Sequence, residues 1–374
     1  MRYCVLYPKA ENVHLIKDVG MIAYKLHKLY GYDSYVISYN NDEYDYLNKE
    51  VKGLKMDFIE NKDKNLINVF KYLKKNSRNI DILQIFHMTF NSVIYACLYK
   101  LFNKKGLVFL KLDCTELLLD KIRNMKGVQR ILLNFFLNRV DIIGVEQKYI
   151  FNKLKSLLGK HSNKLINIPN GIDFQDEWFK EDIIFNDKEN AILNVGRIGS
   201  SEKATDLLMK AFSLIDEKIR KDWKLVFVGP IEDSFKTTID GFFKENESMR
   251  NSIIFKGPIF NRKNLFEEYK KSKIFCLTSQ YESFGIALIE AIACGNVIVS
   301  TRVGIAEEIV KGDNGAVVEV GDVNAICDSL SRLMNSDKLS DFSKHMEAYC
   351  KENYNWDTIV EKLHYRINDI RGNN

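Results

Sequence analysis

The chain of 374 residues reads as an α/β protein of two doubly wound lobes, and three observations predict this. Short apolar, β-branched runs alternate with amphipathic helical patterns, the signature of parallel strands covered by helices on both faces. The alternation continues to residue 168, stops, and restarts at residue 191. Between the two stretches lies Asn170-Gly171, a turn dipeptide, followed by polar and irregular residues.

The first lobe has strand patterns at 2–7, 34–38, 80–86, 107–112, 141–145 and 165–168. Helical patterns lie at 21–30, 70–75, 92–101 and 117–138, and Lys17-Asp18-Val19-Gly20 reads as a polar loop before the first helix. The second lobe has strand patterns at 191–196, 223–228, 253–256, 274–278, 297–300 and 315–319. A helix at 204–219 follows its first strand, an acid-bearing helix separates the fourth and fifth strands, and an amphipathic segment at 356–370 closes the chain. The expected domains are 1–172 and 173–355, with a terminal helix at 356–374 joining the first. Two facing lobes of this class bind ligands in the crevice at the carboxyl ends of their strands.

Composition narrows the class. A hydrophobic content of 46% with 28% charged residues is that of a globular protein, and no apolar run reaches the length of a membrane span. Met1 leads straight into a strand pattern, without the apolar core and cleavage site of a secretion signal. The seven cysteines form no C-x-x-C pair and no Cys/His cluster, which argues against zinc and for reduced thiols in a cytoplasmic protein. Residues 1–170 carry a net charge of +12 and the remainder −7, giving +5 in all, so the lobes are expected to meet different partners.

The segment Tyr281-Glu282-Ser283-Phe284-Gly285-Ile286 runs from a polar loop into a helix that carries Glu290. Ser283 is the expected N-cap, so the free amides of the first helical turn would form an anion site, and Gly285 would let an anion approach the backbone closely. Carboxylates at Glu282 and Glu290 would accept hydrogen bonds from hydroxyls, which together describes a nucleotide-sugar pocket. At the exit of the first strand of this lobe, Gly196-Arg197 permits a tight turn, and Lys203 follows. Arg197 and Lys203 are the cations expected to flank a phosphate, although loop cations are more often simply solvated.

The ordered set of motifs resembles the retaining GT-B glycosyltransferases of family four. It comprises Asn194-Val195-Gly196-Arg197 with Lys203, Val228-Gly229-Pro230, Lys256-Gly257, Glu282-Ser283-Phe284-Gly285, Glu290-Ala291, Val303-Gly304 with Glu307-Glu308, and Asn314-Gly315. The resemblance implies that Arg197 and Lys203 neutralise the departing diphosphate. It further implies that amides around Phe284, Gly285 and Ile286 bind phosphate or sugar, that Glu282 accepts from donor-sugar hydroxyls, and that Glu290 holds the ribose. Ala204 stands where the family commonly has glycine, and Ile305 replaces the second glycine of a usual pair. The implied reaction moves a sugar from a UDP- or GDP-sugar to a hydroxyl of a glycan or lipid-linked acceptor, with retention. Alternatives are a sugar-nucleotide epimerase of the same fold and a non-catalytic partner protein.

No Asp-x-Asp stands at a strand end, so no metal cofactor is expected, and the cations and helix N-terminus would balance the diphosphate. In the first lobe, His87 and Asp113 each follow a strand pattern and are candidates to orient or relay a proton from the acceptor. Asp18 and Gly20 are expected in an acceptor-side loop. Residues 117–138 mix Lys121, Arg123, Lys126 and Arg130 with apolar residues, as in a helix lying on an anionic membrane. That predicts peripheral attachment to the inner face of the cell membrane, as suits a lipid-linked acceptor. No nucleic-acid recognition motif accompanies the basic residues.

Overall fold

The computed structural model describes residues 1–60, 65–180 and 182–372. The chain forms two compact units, one of residues 1–170 with 356–374 and the other of residues 171–355. The last two residues of the expected terminal helix lie outside the described residues.

Among the described residues, the first unit is built on a seven-stranded sheet in the order β3-β2-β1-β4-β5-β6-β7. Its strands are β1 (Arg2–Leu6), β2 (Asp33–Ser38), β3 (Lys55–Phe58), β4 (Ile82–Phe86), β5 (Leu107–Leu112), β6 (Ile142–Val145) and β7 (Leu165–Asn167). Every neighbouring pair is parallel. The helices between them are α1 (Asp18–Tyr30), α2 (Tyr46–Lys49), α3 (Leu66–Asn76), α4 (Phe90–Phe102), α5 (Glu116–Asn124), α6 (Val128–Leu137) and α7 (Lys148–Leu157). Continuous apolar strands follow from burial on both faces. In β1, Cys4 and Leu6 join one core cluster while Tyr3 and Val5 join the other, as a two-residue side-chain period requires.

The second unit repeats the design with a six-stranded parallel sheet in the order β10-β9-β8-β11-β12-β13. Its strands are β8 (Glu189–Val195), β9 (Lys224–Val228), β10 (Ile253–Phe255), β11 (Ser272–Leu277), β12 (Val297–Thr301) and β13 (Ala316–Val318). Its helices are α8 (Thr205–Leu214), α9 (Glu217–Arg220), α10 (Asp233–Glu245), α11 (Arg262–Lys271), α12 (Ile286–Ala293), α13 (Ala306–Ile309), α14 (Val323–Met334) and α15 (Leu339–Asn353). The final helix, α16 (Trp356–Gly372), packs on α1 in the first unit and buries Trp356, Ile359, Val360, Leu363 and Ile367 there.

Three sequence expectations are corrected, and one strand is unexpected. The helix expected at 117–138 is two helices, α5 and α6, because Gly127 takes φ 51° and starts α6 afresh. The helix expected at 204–219 stops at Leu214, where Ile215 turns extended, and resumes as α9 behind the Asp216 N-cap. Asp18 and Gly20 are not in a loop: α1 begins at Asp18, and Gly20 is buried in its first turn. A Cβ on Gly20 would meet the Leu15 carbonyl oxygen at 2.1 Å, so that glycine serves packing. Finally, β3 went unread in the sequence because its side chains are only half-buried at the sheet edge.

Candidate active site

In the second unit the strand-end loops after β8 and β11 are tied to each other by the backbone and short hydroxyl side chains. The Gln280 amide donates to the Glu202 carbonyl at 2.7 Å, and Thr278 Oγ1 donates to the carbonyls of Lys203 and Ala204 at 3.0 and 3.1 Å. Thr301 Oγ1, from the end of β12, donates to the Ser279 carbonyl at 2.6 Å. These clamps bring Lys203 Nζ into direct contact with Glu282 Oε1, an oxygen that also accepts from Ser279 Oγ at 2.7 Å. Two residues chosen separately in the sequence, 79 positions apart, therefore form one half-buried ion pair. Arg197 stays largely exposed and reaches Glu202 instead, at 3.4 Å.

Close backbone approach explains the glycines. A Cβ on Gly229 would sit 1.7 Å from the Gly196 carbonyl oxygen, so the exits of β8 and β9 touch. Gly304, at φ 54°, also lies close against the Phe284 carbonyl, where a Cβ would sit 2.3 Å from the oxygen; that carbonyl accepts from the Ile305 amide at 3.0 Å. Ile305 itself has φ −98°, so no second glycine is needed there. Ala204, by contrast, takes φ 45° and ψ 49°, the left-handed region that favours glycine.

The acid-bearing helix differs from expectation at its start. Ser283 is not the N-cap, because the chain turns left-handed at Gly285 (φ 88°), which caps α12 two residues later. Phe284 is buried, Gly285 is buried with it, and Ile286 opens the first turn. Glu290 is half-buried on α12 and accepts from the Tyr269 hydroxyl at 3.0 Å, with Arg262 3.9 Å away. Burial first, and then the neighbouring Glu290 charge, push the Tyr269 phenol well above its ordinary pKa, so it stays a donor. Glu282 and Glu290 thus engage different partners. Arg262 and Tyr269 were missed in the sequence; with Phe266 they occupy positions i, i+4 and i+7 of α11, a stripe hidden by its charged neighbours.

In the first unit, His87 and Asp113 do fall just beyond β4 and β5. His87 takes φ 57°, its amide donates to the Lys111 carbonyl at 3.0 Å, and its own carbonyl accepts from Ser92 Oγ at 2.6 Å. Asp113 is half-buried with Oδ1 buried and unpartnered. Asp18, at the N-terminus of α1, lies 3.4 Å from the ammonium of Lys111. Lys111 and its closer partner Glu146, at 2.5 Å, are 0% and 2% exposed, and sequence reading missed both. Among the described residues no cluster of three or more His, Cys, Asp or Glu could hold a metal ion, and no helix is long and apolar enough to cross a membrane.

Two parallel-sheet units of this construction define the GT-B fold. The HepE protein of Anabaena, solved in complex with UDP, superposes with a TM-score of 0.74 over 99% of this chain and all of its own, at 13% identity. Residues 175–356, just under half of the chain, match the model of glycosyl transferases group 1. The N-acetyl-alpha-D-glucosaminyl L-malate synthase of Bacillus anthracis is 28% identical over 54% of this chain, which spans only 55% of that relative's length. A second relative, from Campylobacter jejuni, is 27% identical over 78% of this chain and 75% of its own length. Its name is N-acetylgalactosamine-N,N'-diacetylbacillosaminyl-diphospho-undecaprenol 4-alpha-N-acetylgalactosaminyltransferase.

Proposed function

We propose that the protein transfers a sugar from a UDP- or GDP-sugar to a hydroxyl of a glycan or lipid-linked acceptor, with retention and without a divalent metal. The observation that carries this reading is the Lys203–Glu282 pair, which joins the loop before α8 to the loop before α12, with Glu290 further along on α12. Each member has a role once the partner is exchanged. Lys203, with Arg197, takes the diphosphate, whose charge also suits the free amides at the α12 N-terminus. Glu282 is released to accept from donor-sugar hydroxyls, and Glu290 takes the ribose. The diphosphate leaves, a cationic sugar develops, and the acceptor attacks from the same face while a phosphate oxygen takes its proton. No paired nucleophilic carboxylate is then required, in contrast to retaining hydrolases.

UDP bound to HepE supports UDP as the first donor base to try, and the alpha linkage in both relatives' names is what retention from an alpha-linked donor yields. The undecaprenol in the second name supports a lipid-linked acceptor and, with it, a cytoplasmic protein peripheral on the inner face of the membrane. Thermal melting with UDP, GDP and ADP tests the donor reading: one of the first two raises the transition and ADP does not. Product analysis by NMR then reads the anomeric configuration, and addition of EDTA leaves turnover intact. Failure of UDP and GDP to shift the melt sinks the donor assignment, whereas loss of turnover in EDTA sinks only metal independence.

A further inference from the structure

Lys111 links three acceptor-side candidates of the first unit, Asp18, His87 and Asp113. Its carbonyl accepts from the strained His87 backbone, its ammonium contacts Asp18 and Glu146, and Asp113 follows two positions later on the same strand end. Asn170 Nδ2 donates to Glu146 Oε1 at 3.0 Å. Two carboxylates therefore contact one ammonium, and the charge of a third, Asp113, also acts on it. Burial works against the Lys111 charge, but Glu146, Asp18 and Asp113 together hold its pKa above the ordinary value. Burial, assisted by Asp18 and Asp113 against the opposing Lys111, raises the Glu146 pKa above its ordinary value.

The unsatisfied atoms point to what completes the cluster. Asp113 Oδ1, Glu146 Oε2 and Asn170 Oδ1 are buried without a partner, and all three are acceptors. Glu146 and Asn170 are themselves more than nine-tenths buried. A buried ion pair adds little to stability that apolar side chains could not supply, so stability alone does not explain it. A group that brings hydrogen-bond donors and no negative charge fits here; a phosphate or carboxylate would add acceptors and repulsion.

We infer that Lys111 and Glu146 are a positioning pair that holds Asp18, Asp113 and His87 as a subsite for the hydroxyls of an uncharged acceptor sugar. This rests on the transferase reading and adds the acceptor class. The first unit is basic as a whole, yet this subsite is acidic, so it selects against uronic or phosphorylated sugars.

The test uses the full chain with octyl glucoside and octyl glucuronide, which share their ring hydroxyls except that a carboxylate replaces one hydroxymethyl group. Saturation-transfer NMR reads their binding, and the UDP-induced melting shift independently reads the second unit. The wild type binds the glucoside and not the glucuronide. In the double variant Lys111→Met with Glu146→Met, the melting temperature and the UDP shift persist while glucoside binding falls about tenfold, the effect of losing one charged hydrogen bond. Glu146→Gln, which keeps the side-chain shape, also weakens the glucoside signal and covers the case in which the double variant does not fold. Equal binding of the two glycosides, or unchanged glucoside binding in either folded variant, overturns the inference. Absence of a UDP shift in the wild type would count against the donor reading alone.

Discussion

Ala204 occupies a backbone position that favours glycine, directly after the lysine proposed to take the diphosphate. It and His87 are the two non-glycine residues at positive φ among the described residues, and both lie at candidate site loops. Such strain persists where surrounding bonds over-determine it, and here Thr278 Oγ1 holds the Ala204 carbonyl while the Ala204 amide donates to Ser200. A left-handed alanine costs about 1–2 kcal/mol, against which glycine loses roughly 0.5–1 kcal/mol of extra chain entropy on folding. Ala204→Gly is therefore expected to raise stability by up to about 1 kcal/mol in urea denaturation, with no loss of UDP affinity. A clear loss of stability would show that the Ala204 methyl group packs favourably enough to outweigh its strain. Sequence reading found Lys203 and Glu282 from residue type and local context, but their contact depends on Thr278, Ser279 and Thr301, which carry no distinctive pattern in the chain. Lys111 and Glu146 escaped for a related reason: each sits in an apolar run, where a lone charge gives no indication that the other lies opposite it.

At the scale of elements, α6 is the exception to the rule that a helix buries its apolar face. Leu133, Phe136 and Leu137 do face the core, yet Val128, Ile131, Leu132 and Phe135 remain 70, 67, 58 and 43% exposed. The exposed set falls at i, i+3, i+4 and i+7, one continuous stripe. Lys121, Arg123 and Lys126 precede it, and Arg139 stacks over Phe135 at 3.5 Å. An apolar stripe bordered by cations is suited to an anionic bilayer surface. Val128→Glu with Ile131→Glu is expected to abolish co-sedimentation with phosphatidylglycerol vesicles while changing stability by less than about 0.5 kcal/mol, since both sites are solvent-facing. Wild-type protein that sediments equally with neutral vesicles would remove the electrostatic part of this reading. The sequence carried the basic and apolar mixture of 117–138 but not its break, because Gly127 marks a new helix only through a dihedral angle that composition does not encode. Strands buried on both faces were legible as apolar runs; the edge strand β3, with Lys55 and Asp57 among its four residues, leaves no such run.

At the scale of the whole molecule, the first unit is closed by both ends of the chain. The α16 residues Trp356, Ile359, Val360, Leu363 and Ile367 share a core with Val19, Ile22 and Leu26 of α1. Asp357 Oδ1 lies 2.6 Å from the fully buried Lys25 ammonium, His364 stacks on Tyr30 at 3.8 Å, and Arg371 reaches Asp81 at 3.1 Å. Burying one large apolar side chain contributes roughly 1.5–3 kcal/mol, so five of them contribute on the order of 10 kcal/mol. That equals the net stability of a typical domain, about 5–15 kcal/mol. The second unit keeps its own two clusters, on either face of its sheet, and none of their residues comes from α16. A chain ending at Asn355 is therefore expected to lose the first unit selectively. Hydrogen exchange would show the amides of β1 to β7 unprotected and those of β8 to β13 still protected, with the UDP melting shift retained. Persistent protection in β1 and β4, the sheet centre against which this core packs, would mean that α1 and the strands suffice without the helix. The partial loss is expected instead of global collapse because each sheet buries both its faces within its own unit, so the energetic cost of removing α16 falls on one core alone.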